Sequence, residues 1–193
     1  MNIKLNLLAD YLVENIYNDS APYVRSQYDK LIAERDTSDV WRQFAIWFLV
    51  DPDHGVIRFT KYDSKQYRSI RHVTRLYDEN CKDRNAWRKA TSAAKAAALA
   101  DTAAAWDIAG NSAAWADANA GAWSAYAAAH AAALAADAAA WDIAGNSAAW
   151  AAWAAAEAAA RSAAAAAAHV AAHNRMAEKL LELLQLAPTK EAP

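Results

Sequence analysis

This chain carries very little punctuation. Four glycines and four prolines serve 193 residues, and no proline stands between Pro52 and Pro188. Proline ends helices and glycine marks turns, so their scarcity removes the usual signals of a loop-rich or all-β fold. Cysteine is nearly missing as well. Cys81 alone excludes an internal disulfide and fits a reducing compartment. The N-terminal residues show no basic segment followed by a sustained apolar core, which argues against a signal peptide. There is no run of about 18 strongly apolar residues. The long Ala tract contributes little to membrane insertion, and Asp137, Asp142, Glu157 and Arg161 interrupt it. We therefore expect a soluble, cytoplasmic protein without membrane association. A phosphate-cradling glycine loop, an HExxH pair and a Walker-type motif are also missing. With no such motif, the expected protein is not an enzyme and needs no cofactor.

What fills the gaps is alanine. From Thr91 to Leu180, 48 of 90 residues are Ala. Within that tract the eleven residues Trp106–Ala116 return unchanged as Trp141–Ala151, thirty-five positions later. Ala is the best helix former, so the tract is predicted to be helical. A single helix of a hundred residues would be roughly 150 Å long, so the tract must fold back on itself. The natural breaks are Gly110-Asn111-Ser112 and Gly145-Asn146-Ser147, where Gly ends one helix and Asn or Ser caps the next. Asn119-Ala120-Gly121 is a third candidate. Thirty-five residues is close to a helix-hairpin repeat. Trp106, Trp115, Trp123, Trp141, Trp150 and Trp153 then supply bulk that an all-Ala interface lacks.

Large apolar residues concentrate in the first eighty positions. Leu5, Leu8, Leu12 and Ile16 have helical spacing over 3–18, and Val24, Tyr28, Leu31 and Ile32 mark a second helix. Thr37-Ser38-Asp39 opens a third around Val40, Trp41, Phe44, Trp47, Phe48 and Leu49, the predicted centre of the N-terminal core. Asp51 to Gly55 reads as a turn. Residues 56–60 read as a short strand, and Asp63 with Gln66 as a capping box for a helix over about 64–79. Met176–Leu186 is a conventional amphipathic helix. The predicted fold is all-α, in three stretches. Residues 1–84 form an N-terminal helical region with a basic helix, 85–187 an Ala-rich antiparallel helical array, and 188–193 a frayed tail.

Charge is distributed unevenly. Residues 1–90 carry a net +2 and residues 91–193 a net −4, too little on either side for a polyanion mimic or a polycation. The exception is local: His54–Lys89 holds ten Lys and Arg against four Asp and Glu. Lys61, Lys65, Arg68, His72 and Arg75 follow at intervals of three or four, with Arg58 before them and Arg71 alongside. On a helix this is a basic stripe, interleaved with Tyr62, Tyr67 and Tyr77. It suits an acidic protein surface or phosphates, and its alternative is a solvated face whose far side packs on the core. The candidate partner-binding residues are Lys61, Lys65, Arg68, Arg71 and Arg75.

Other polar residues carry less. His169 and His173 have the spacing of two metal ligands but no third, so we expect interhelical or surface histidines and no metal. His130 is read as structural. Cys81 has His72, Lys82 and Arg84 nearby in sequence, which would activate a thiol, but nothing marks an oxyanion site. Asp107 and Asp142 fall where each repeat helix ends, a poor place for a negative charge unless a partner faces it.

The pattern Ala122-Trp123-Ser124-Ala125-Tyr126-Ala127-Ala128-Ala129-His130 resembles a group of Ala-rich phage and bacterial proteins described as immunity proteins. The resemblance is compositional and covers about 85–175. It implies a small non-enzymatic protein that binds and blocks another protein, such as a phage-encoded inhibitor of a bacterial defence component acting in the host cytoplasm. The regular Thr spacing of Ala-rich antifreeze helices is not present. The competing expectation is a nucleic-acid-binding accessory protein using the basic stretch 58–75.

Overall fold

The computed structural model describes residues 3–14, 21–107, 112–140, 151, 154 and 166–190, and side chains at 5–14, 22–99, 124–139, 151, 154 and 170–190. Among the described residues the fold is all-α. Seven helices run α1 (Ile3–Glu14), α2 (Ala21–Glu34), α3 (Val40–Val50), α4 (Lys65–Asp78), α5 (Arg84–Asp107), α6 (Ser112–Ala140) and α7 (Ala166–Leu186), with a short 3-10 helix at Val56–Phe59.

The two halves of contrasting composition share one core. Leu5, Leu8 and Leu12 of α1, Phe44, Phe48 and Leu49 of α3, Ile70 and Val73 of α4, and Leu180 and Leu184 of α7 pack with Ala128, Ala131, Ala132 and Ala135 of α6. The described part of α6 is buried on nearly every side, with Ala127 to Ala129, Ala131 to Ala133, Ala135, Ala136 and Ala138 all inaccessible. A helix apolar all round belongs inside, and one clothed in methyl groups lets neighbours approach closely from several directions. The Ala-rich segment is therefore a central pillar as well as a hairpin. Its most extensive packing is α5 against α6, followed by α4 against both.

Several expectations are met. Helix α5 ends at Asp107 and α6 starts at Ser112, bracketing Gly110. After α3, the Asp51 side chain accepts the Asp53 and His54 N–H groups at 3.1 and 2.8 Å, and Gly55 N–H returns to Asp51 O at 2.8 Å. A Cβ on Gly55 would lie 2.5 Å from Asp51 N, so glycine is required there.

Others are corrected. The chain does not break at Asn119-Ala120-Gly121, because α6 runs through it; a helical Gly costs only about 1 kcal/mol, which packing against α5 offsets. Residues 56–59 form the 3-10 helix rather than a strand, and no strand occurs among the described residues to pair with them. The cap of α4 is Ser64, whose Oγ accepts the Tyr67 N–H at 3.1 Å. Gln66 is instead buried and donates to Ala97 O at 2.8 Å. The frayed tail is also revised for its first three residues. Thr189 bridges Arg35, and Asp36 N–H donates to Pro188 O at 2.7 Å. Lys190 takes the last carbonyls of α2, with its N–H on Glu34 O at 3.0 Å and its Nζ on Ile32 O and Ala33 O at 3.1 and 2.8 Å. A cation at a helix C-terminus satisfies orphan carbonyls and complements the dipole. The Gly145 break and the second copy of the repeat lie outside the described residues, apart from its last, Ala151; the six Trp side chains of the Ala-rich tract lie outside them entirely.

Candidate interaction surface on helix α4

Helix α4 divides cleanly. One side buries Gln66, Ser69, Ile70, Val73, Thr74, Leu76 and Tyr77. The polar groups on that side are satisfied locally, Ser69 Oγ donating to Gln66 O at 2.8 Å and Thr74 Oγ1 to Ile70 O at 2.9 Å. The helix ends on Asn80 in the left-handed region (φ 48°). Cys81 N–H then reaches Leu76 O at 2.9 Å and Asn80 N–H reaches Tyr77 O at 3.0 Å, the paired bonds of a Schellman turn.

The other side is cationic. Lys65, Arg68, Arg71 and Arg75 are exposed along it, and exposed Lys61 precedes it. The structure thus places Lys65, Arg68, Arg71 and Arg75 on one side of α4, while Lys61 is exposed just before the helix. Arg68 faces Asp63 at 3.9 Å and Arg75 faces Glu79 at 3.8 Å, both exposed pairs that contribute little. His72 Nδ1 lies 3.2 Å from an Arg75 nitrogen. Lys61, Lys65 and Arg71 make no ion pair among the described residues. A shallow groove of about 370 Å³ runs beside Arg68, Arg71, His72, Arg75 and Asp78, so one carboxylate shares it with the cations. At the N-terminal end Tyr62, 80% exposed, leans on Tyr67 with ring centroids 5.0 Å apart. Arg58 stacks on Phe59, 4.6 Å from the ring centroid.

Tyr77 does not belong to this surface. It lies in the core, accepting the Trp41 indole N–H at 3.1 Å and donating to Ala135 O at 2.6 Å. Burial pushes its hydroxyl pKa far above the ordinary range, with the Trp41 hydrogen bond opposing. His173 is buried between α7 and α1, 2.7 Å from Tyr11 Oη. The His169 side chain, Asp107 side chain and Asp142 lie outside the described residues. No cluster of three metal-ligating side chains occurs among the described residues. Cys81 is half-buried in a different cleft from the one His72 borders, so the two are not paired. Among the described residues no helix is long and apolar enough to cross a membrane.

Comparison of the chain with protein-family models, with curated proteins and with solved structures returns no match.

Proposed function

We propose that the protein is a stoichiometric binding protein that docks the cationic face of α4 on an acidic protein surface. The observation that carries this reading is the division of α4. Its apolar side is locked into the core while four cations of the helix, and Lys61 before it, are exposed; Lys61, Lys65 and Arg71 have no carboxylate partner among the described residues. A helix face on which cations outnumber carboxylates steers an oppositely charged partner and fixes its register. The resemblance of the Ala-rich half to immunity-type proteins supports blocking of that partner as the outcome, in the setting of phage–host conflict. The test is the double reversal Arg68→Glu/Arg75→Glu. Proteins retained by the wild type from host lysate should be lost with the variant while the melting temperature is kept. Equal retention by both would remove α4 from the interface.

A second reading rests on one observation, exposed Tyr62 leaning on half-buried Tyr67 near Lys61 and Lys65 in sequence. Aromatic rings next to a cationic track suit single-stranded nucleic acid. Binding to generic DNA or RNA that falls steeply with salt would favour it over a protein partner.

A further inference from the structure

A second concave site lies on a different part of the surface, where α3, the α4–α5 turn and α6 meet. It is a cleft of about 420 Å³, within the range of small-molecule sites. Its rim is built from cations on three separate elements: Arg42 of α3, Lys82 of the turn and Arg84 at the start of α5. Its floor is apolar, formed by Trp41, Leu76, Trp87 and Ala139. That floor is rigid. The Trp41 indole N–H is held by Tyr77 Oη and the Trp87 indole N–H by Cys81 O at 3.0 Å, with the Tyr77 and Trp87 rings 4.7 Å apart.

Among the described residues no carboxylate lines the cleft. Asp39, the closest acid to Arg42, does not line the cleft, and its oxygens are engaged by Arg42 and Gln43. That pairing holds the Asp39 carboxyl below the usual range and orients the Arg42 guanidinium. The Asp83 carboxylate caps the Asn85 N–H at 2.8 Å. Lys82 Nζ has a single neutral partner, Asn80 Oδ1 at 2.7 Å, and its remaining donors are unspent. We propose that this cleft binds a small organic phosphate monoester. Lys82 would hold the dianion through charge-assisted hydrogen bonds, Arg84 and Arg42 would add positive charge at the rim, and the organic part would lie on Trp87 and Leu76. Inorganic phosphate would leave that apolar floor uncovered. The site is independent of the α4 face.

Phenyl phosphate is the probe, titrated against the intact protein by calorimetry. Cys81 provides a local readout, because it lines this cleft and is the chain's only thiol. We expect saturable binding that slows alkylation of Cys81 by iodoacetamide. Lys82→Gln, an exposed substitution outside the core, should weaken binding about tenfold or more, a loss of about 1.4 kcal/mol. Arg68→Glu/Arg75→Glu should leave it unchanged. Benzoate and inorganic phosphate should each bind more weakly than phenyl phosphate. The proposal is overturned by the absence of saturable binding, by equal affinity for inorganic phosphate or benzoate, or by loss of binding in the α4 reversal but not in Lys82→Gln.

Discussion

The first eighty residues and the Ala-rich helices build one core by opposite means. In the N-terminal helices volume does the work: Phe44 and Phe48 are almost fully buried, their rings 5.7 Å apart, and Trp41 and Trp47 extend the cluster. In α6 proximity does the work, through methyl groups that bury little area each but bring whole helices together. Beside the Tyr11–His173 bond, three hydrogen bonds cross the seam in the same sense. Tyr28 Oη donates to Ala177 O at 2.6 Å, Gln66 Nε2 to Ala97 O and Tyr77 Oη to Ala135 O. Each donor is a long side chain from the first half, and each acceptor is the backbone of an alanine. A helical carbonyl has a second lone pair after its helical bond, and a methyl side chain leaves it reachable. An Ala-rich helix thus offers partners its backbone where other helices offer side chains.

The sharpest way to break this contrast is to reverse side-chain size on each side of the seam. Phe44→Ala should cost about 3–5 kcal/mol in urea unfolding, because the cavity cannot collapse in a ring cluster. Ala132→Leu should also destabilise, by about 1–3 kcal/mol, because no space is left around α6. If Ala132→Leu proved neutral or stabilising, the close-approach account of α6 would be wrong. Tyr77→Phe probes the seam itself and should cost about 1–2 kcal/mol, since Trp41 Nε1 loses its acceptor in a buried site.

Acid should act on the Ala-rich side first. Burial, and secondarily Lys95, holds the His130 imidazole below its ordinary range. The unfolded chain then binds more protons than the folded one below about pH 6.5. The stability linked to His130 is complete above that value and is lost as pH falls through the folded value. His130→Gln should flatten the melting temperature between pH 7 and 5, and an unchanged slope would assign it to another group. The smallest effect belongs to α4. Arg68→Glu and Arg75→Glu should each shift unfolding by less than about 1 kcal/mol, since both pairs are exposed.

Periodicity made much of this fold legible. The spacing of Lys65, Arg68, His72 and Arg75 placed the cations on one side of a helix, and Gly110 falls between the end of α5 at Asp107 and the start of α6 at Ser112. What failed had no local signal. Gly121 looks like a stop, but packing against α5 carries α6 through it. Val56–Phe59 has strand-like residues but, among the described residues, no strand to pair with. The Gln66 amide reads as a cap until Ala97, thirty-one residues away, is placed beside it. The second cleft joins Arg42, Lys82 and Ala139, and no window of sequence contains all three. Only its middle was visible, as cations flanking Cys81.

The hold of Lys190 on Ile32, Ala33 and Glu34 has a consequence in time. The last turn of α2 gains these partners only once residue 190 has been made. At about 5–20 residues per second, that is roughly 8–30 s after the turn itself leaves the peptidyl-transfer centre. Through that interval the nascent chain carries α2 with its carbonyl end open. A chain without residue 190 would lack these partners for the carbonyls of Ile32, Ala33 and Glu34 altogether.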